Sequence, residues 1–192
     1  MVYSKIEYLT KNDSRVMLVM VRKYGGDCLY QVGDHIVYPM HGAGMIKAVE
    51  EREFQGEKQD YYIIKMVIGN MEVMIPASKM LNSSIRHVTD LASLKKMVNK
   101  FQHNESEELL PWKQRHKANM DKIKTGKLKA CAEVIRDLIS LKREDKLNSS
   151  EKRMLNKARE FLVSELKLVE GITESQMKRF LLKLKQDKVS IS

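Results

Sequence analysis

QVGDHIVYPMHGAGMIKAVEEREFQGEKQDYYIIKMVIGNMEVMIPA, residues 31–77, is the stretch whose reading decides the fold. Five short runs rich in Val, Ile, Tyr and Met, at 34–39, 45–49, 52–54, 61–66 and 71–75, alternate with Gly42, Gly44, Gly56 and Gly69. Branched and aromatic side chains favour the pleated backbone, and glycines between them favour tight connections. Gln55-Gly56 and Gly69-Asn70 can supply the positive φ angles of hairpin turns, and Pro76 ends the last run because it lacks an N–H for a ladder. Five strands in about 45 residues predict a small SH3-like or Tudor-like barrel.

Beyond Thr89 the apolar period lengthens from two towards 3.6, which predicts helices. Residues 90–101 fit one helix, and 102–110, with three acidic residues in six, fit an exposed linker. Pro111 suits the start of a helix and Gly126 its end, so 111–124 forms a bounded helix. Leu128, Cys131, Ala132, Ile135, Leu138 and Ile139 trace a single apolar stripe. Asn148 with Glu151, and Thr173 with Gln176, have capping-box spacing ahead of two further helices, the first closed by Gly171. The expected fold is therefore α+β, a small barrel followed by a helical bundle, with boundaries at 29–92 and 93–192.

Charge divides along the same line. Residues 1–92 carry 11 basic and 11 acidic side chains, whereas 93–192 carry 24 and 14, so the whole net charge of +10 belongs to the helical half. Such asymmetry points to two modules with different partners, the basic one facing a polyanion such as nucleic acid; a solvated lysine-rich surface is the competing account. No apolar run reaches the roughly 18 residues of a membrane helix, and no secretory start is present, which implies a cytoplasmic protein without a membrane partner. Cys28 and Cys131 stand far apart without CxxC spacing, so neither disulfides nor a zinc cluster is expected. The five histidines lack paired metal spacing, no HExxH or P-loop occurs, and Gly42-Ala43-Gly44 is too short for a phosphate fingerprint. An enzyme, a cofactor and a small-molecule ligand are accordingly not expected.

Particular residues then carry a resemblance. Val32-Gly33-Asp34, Val37-Tyr38-Pro39 and His41-Gly42-Ala43-Gly44 resemble the opening of the CarD-like (CdnL) regulators, and Gly56-Glu57, Tyr61-Tyr62 and Val73-Met74-Ile75-Pro76 continue it in order. Trp112, Arg115, Lys117 and Asn119, then residues 132–138, 151–155 and Ala158, resemble that family's C-terminal domain. The resemblance covers about residues 30–170. It implies a Tudor-like domain that binds the RNA polymerase β subunit and a helical domain lying against promoter DNA. Arg52 corresponds to the arginine that helps hold the polymerase lobe, Lys65 sits nearby in the pattern, and Met74 stands where the family has a basic residue, making part of that contact apolar. On the DNA side the resemblance implies roles for Trp112, Arg115, Lys117 and Lys152, and a family charge is lost at Gln114.

On chemistry alone, Arg52 among Glu50, Glu51 and Glu53 could equally serve intrastrand charge balance. Trp112 directly after Pro111 sits in a first helical turn, where exposure is plausible, although a lone tryptophan is more often a packing residue. With Lys113, Arg115 and Lys117 beside it, it has the composition of an aromatic wedge among phosphate contacts. A nucleoid protein acting through the basic half without polymerase is the alternative function. Residues 1–28 match nothing in the family pattern. Gly25-Gly26-Asp27 is encoded by codons that can spell a ribosome-binding site about seven nucleotides before a TTG or CTG codon for Leu29, so a native start at Leu29 is expected, against a genuine N-terminal arm.

Overall fold

A computed structural model describes residues 30–54, 56–82, 84–101 and 110–184. The expectations for the N-terminal extension, the Leu29 start and most of the 102–110 linker lie outside the described residues. The fold is α+β. Strands β1 (His35–Tyr38), β2 (Gly42–Phe54), β3 (Glu57–Met66) and β4 (Glu72–Pro76) precede a short helix α1 (Ala77–Asn82) and a two-residue strand β5 (Arg86–His87). They form one antiparallel sheet in the order β4-β3-β2-β1-β5.

The strands differ from expectation at one instructive place. Residues 45–49 and 52–54 belong to a single long β2, because Glu50, Glu51 and Arg52 pair in register with Tyr61, Asp60 and Gln59. Charged side chains do not interrupt a ladder when their face is accessible. The irregularity falls earlier, between Ile46 and Ala48, where Lys47 is the extra residue of a bulge. The fifth strand is β5. Gly69 and Asn70 do take positive φ, 67° and 52°, at the β3–β4 turn. Ile36, Ile46, Tyr62, Ile64, Met66 and Ile75 point to one side, where Tyr30, Met80 and Ile85 complete a core. The buried Tyr30 and Tyr62 hydroxyls donate to the carbonyls of Ile85 and Tyr30.

The helical half contains α2 (Leu91–Phe101), α3 (Trp112–Lys124), α4 (Leu128–Arg143), α5 (Ser149–Leu166) and α6 (Glu174–Lys183). Both predicted capping boxes are formed, Asn148 with Glu151 and Thr173 with Gln176. Asp90 accepts from the Ser93 N–H at the start of α2. Val134 and Leu141 are buried along with the predicted α4 stripe, so α4 is enclosed on more than one side and occupies the centre of this core, packed on α3 and α5. Cys131 is a buried small residue whose thiol donates to the Ala158 carbonyl.

The two cores are joined along one face of the sheet. His35, Val37, Ala43 and Arg86 share a face by register, opposite to Ile36 and Ile46. The Ser164 hydroxyl of α5 accepts from the Ala43 N–H at 3.0 Å, and a ring nitrogen of His35 lies 3.1 Å from the Leu168 carbonyl. Gly126, at φ 66°, closes against Pro39: a Cβ there would lie 2.8 Å from the proline Cγ. The α3–α4 turn therefore rests directly on the β1–β2 turn.

Candidate functional site

The remainder of the same sheet face carries the three side chains expected at a protein contact. Met45 pairs with Lys65, Ala48 with Ile63, Glu50 with Tyr61 and Arg52 with Gln59, while Ile63 also pairs with Met74 and Lys65 with Glu72. Directly paired residues share a face, so Arg52, Lys65 and Met74 lie on one surface with Tyr61 and Ile63 between them. Met74 is 54% exposed. Arg52 extends into solvent, and its guanidinium donates to Glu50 at 2.6 and 3.0 Å, an exposed pair worth little to stability. The pair realises the charge-balance reading of Arg52, and being weak and exposed it can be exchanged for another acid. Methionine, tyrosine and arginine around an apolar centre match the composition of protein interfaces better than that of nucleic-acid surfaces.

A second surface lies at the beginning of α3. Pro111 caps this helix with φ −51° and ψ 142°, and the first helical residue, Trp112, is 52% exposed. The Lys113 ammonium stands 5.8 Å from the centre of the Trp112 ring, and Lys117 is exposed one turn further on. Arg115 behaves differently. Its Nε donates to a Glu151 oxygen at 2.8 Å, one terminal nitrogen is ion-paired with that same oxygen at 2.7 Å, and the other terminal nitrogen donates to the Leu110 carbonyl at 2.9 Å. His116 meets the Ser150 hydroxyl at 3.0 Å. These contacts bring the first turn of α5, with exposed Lys152, beside the turn that bears Trp112. An N-terminal helix turn adds partial positive charge to a surface already carrying lysines.

The junction between these surfaces escaped the sequence reading. Arg86 forms two 2.7 Å bonds with Glu165 and also donates to the Gly126 carbonyl at 2.6 and 3.0 Å. The Thr89 hydroxyl and N–H donate to the same carboxylate. Glu165 had a signal, a charge inside the apolar series Leu162, Leu166 and Val169, and a buried charge needs a partner. Arg86 had none, because its strand is only two residues long. Tyr61 and Ile63 were also legible in principle, since residues 61–66 are apolar on both strand faces apart from Lys65. Among the described residues no helix is long and apolar enough to cross a membrane, and no group of three metal-binding side chains occurs.

Two family profiles match successive parts of the chain. The family profile described as the CarD-like/TRCF RID domain matches residues 30–89, the sheet with α1, and that described as the CarD C-terminal domain matches residues 96–182, the helices. The chain is 60% identical over 152 residues to the "Putative transcription factor YdeB" of Bacillus subtilis (strain 168), which covers 79% of this chain and 99% of that protein. Two successive domain matches on the two packed modules, together with a relative of this similarity, show that the chain belongs to the CarD-like family of transcription regulators.

Proposed function

We propose that residues 29–92 dock on the RNA polymerase β subunit through the face bearing Arg52, Lys65 and Met74, and that residues 93–192 contact promoter DNA. In this reading Trp112, with Lys113, Lys117 and Lys152 around it and Arg115 in its supporting turn, lies at the upstream edge of the melted bubble. An aromatic plate filling the distorted minor groove disfavours closure and lengthens the life of the open complex. The lysines contribute sequence-tolerant phosphate contacts, which become strong once docking makes them intramolecular. No covalent step is involved.

The observation carrying this reading is the half-exposed Trp112 at a basic helix start, on a module joined to the sheet by Arg86 and Glu165. A weak DNA contact gains most when its tether is stiff and correctly aimed. The test pairs capture of purified polymerase β subunit by the full chain with dissociation of open complexes on a stable promoter template. Capture together with slower dissociation supports the reading. DNA binding without capture would favour the nucleoid alternative.

A further inference from the structure

Arg115 is the one side chain of the basic surface that the fold already uses. Two of its N–H groups donate, one to Glu151 and one to the Leu110 carbonyl, a second terminal nitrogen lies 2.7 Å from the same Glu151 oxygen, and its side chain is only 13% exposed. Glu151 is fully enclosed, and its second oxygen accepts the Asn148 N–H at 3.3 Å. That N–H belongs to the capping box of α5, so one carboxylate both starts α5 and holds α3. On the α3 side, the Arg115 guanidinium reaches back to Leu110 while its backbone N–H donates to the Pro111 carbonyl at 3.0 Å. The Arg115 side chain is thus tied to the segment entering the turn at Leu110, while the Pro111 carbonyl takes the ordinary first backbone bond of α3.

We infer that Arg115 is a positioning residue, which with Glu151 braces the Pro111-Trp112 turn and sets the direction of the indole, instead of a phosphate contact. The inference rests on the role proposed for Trp112 but concerns a different property, the order of the free protein. A phosphate contact needs an accessible charge, whereas a brace needs the planar fork. Arginine and lysine differ in that respect, since the fork bonds a carboxylate through two nitrogens at once.

Trp112 is the only tryptophan, so its fluorescence reports the turn directly. Arg115→Met, Arg115→Lys and Lys117→Gln are compared in the full chain by acrylamide quenching and emission anisotropy of the free protein, and by the salt dependence of binding to duplex DNA. Both Arg115 variants are expected to raise the quenching constant about twofold and lower the anisotropy, with the salt slope unchanged. Lys117→Gln should do the reverse, reducing the slope by roughly 0.9 with normal fluorescence. A slope falling by that amount in Arg115→Met, unaltered fluorescence in it, or full wild-type fluorescence in Arg115→Lys each overturns the brace. Should Arg115→Met not fold, Arg115→Lys, which keeps the charge, decides by the same two readings. Failure of the wedge itself would instead appear as open complexes insensitive to Trp112→Ala, with the fluorescence result standing.

Discussion

Arg86 and Glu165 face each other across the junction of sheet and helices, each terminal nitrogen 2.7 Å from a different carboxylate oxygen. The Glu165 side chain is only 4% exposed, so its charge depends on Arg86 and Thr89 for compensation. Arg86→Ala should lower the free energy of unfolding by roughly 3–5 kcal/mol, the usual consequence of leaving a buried charge without its partner. Urea denaturation of the full chain measures this, and an unchanged midpoint would refute the importance of the pair.

Arg52→Glu and Met74→Asp should weaken capture of the polymerase β subunit by about tenfold or more, near 1.4 kcal/mol, because one inverts a charge and the other places a charge in an apolar contact. Both side chains are exposed, so the fold and the DNA contact should survive. Normal binding by both folded variants would move the docking site elsewhere.

Trp112→Ala removes no charge. Polymerase capture and the salt slope should stay at wild-type values while open complexes dissociate about tenfold faster, if stacking worth roughly 1.4 kcal/mol is lost. A half-exposed ring also predicts a small stability change, far from the roughly 3–5 kcal/mol of a core aromatic. Lifetimes equal to wild type would end the wedge mechanism.

Lys117→Glu and Lys152→Glu act on the other component. Each should weaken DNA association and flatten its dependence on salt, since fewer counterions are released when a phosphate contact disappears. Titrations at several salt concentrations give the slope. Parallel lines for variant and wild type would remove these lysines from the contact.

Burial pushes the Cys131 thiol up from 9.0 to about 12, with the Glu165 carboxylate adding to the effect. At pH 8 its peptide should therefore resist iodoacetamide in the folded protein and react on unfolding. Because the folded value is the higher one, this group favours folding below about pH 9, and that contribution is lost as pH rises towards 12. Peptide mapping after alkylation checks the first point and denaturation across that range the second.

What the sequence made legible follows from how local the cause is. Capping at Asn148 and Thr173 depends on residues three positions apart, and the Gly69-Asn70 turn on two adjacent ones, so both could be read directly. Exposure of Trp112 was suggested by the proline before it, but only the family resemblance outweighed the packing role usual for a lone tryptophan. Merging of two predicted strands into β2 was not, because it depends on Glu50 and Arg52 finding Tyr61 and Gln59 across the hairpin. Arg115 looked like surface charge for the same reason, as Glu151 lies 36 residues away. Family resemblance likewise supplied a role for Arg115 but no geometry.

The partner of Arg86 lies 79 residues downstream. Translation at about 5–20 residues per second would thus leave the sheet waiting roughly 4–16 s before α5 can reach its last strand. During that interval β5 is an unfinished sheet edge, the kind of site at which nascent chains pair wrongly with one another. Its length of two residues offers little ladder to a second chain. A longer β5 would hold the sheet more firmly without help from α5, and would expose a better template for aggregation on every ribosome making the protein.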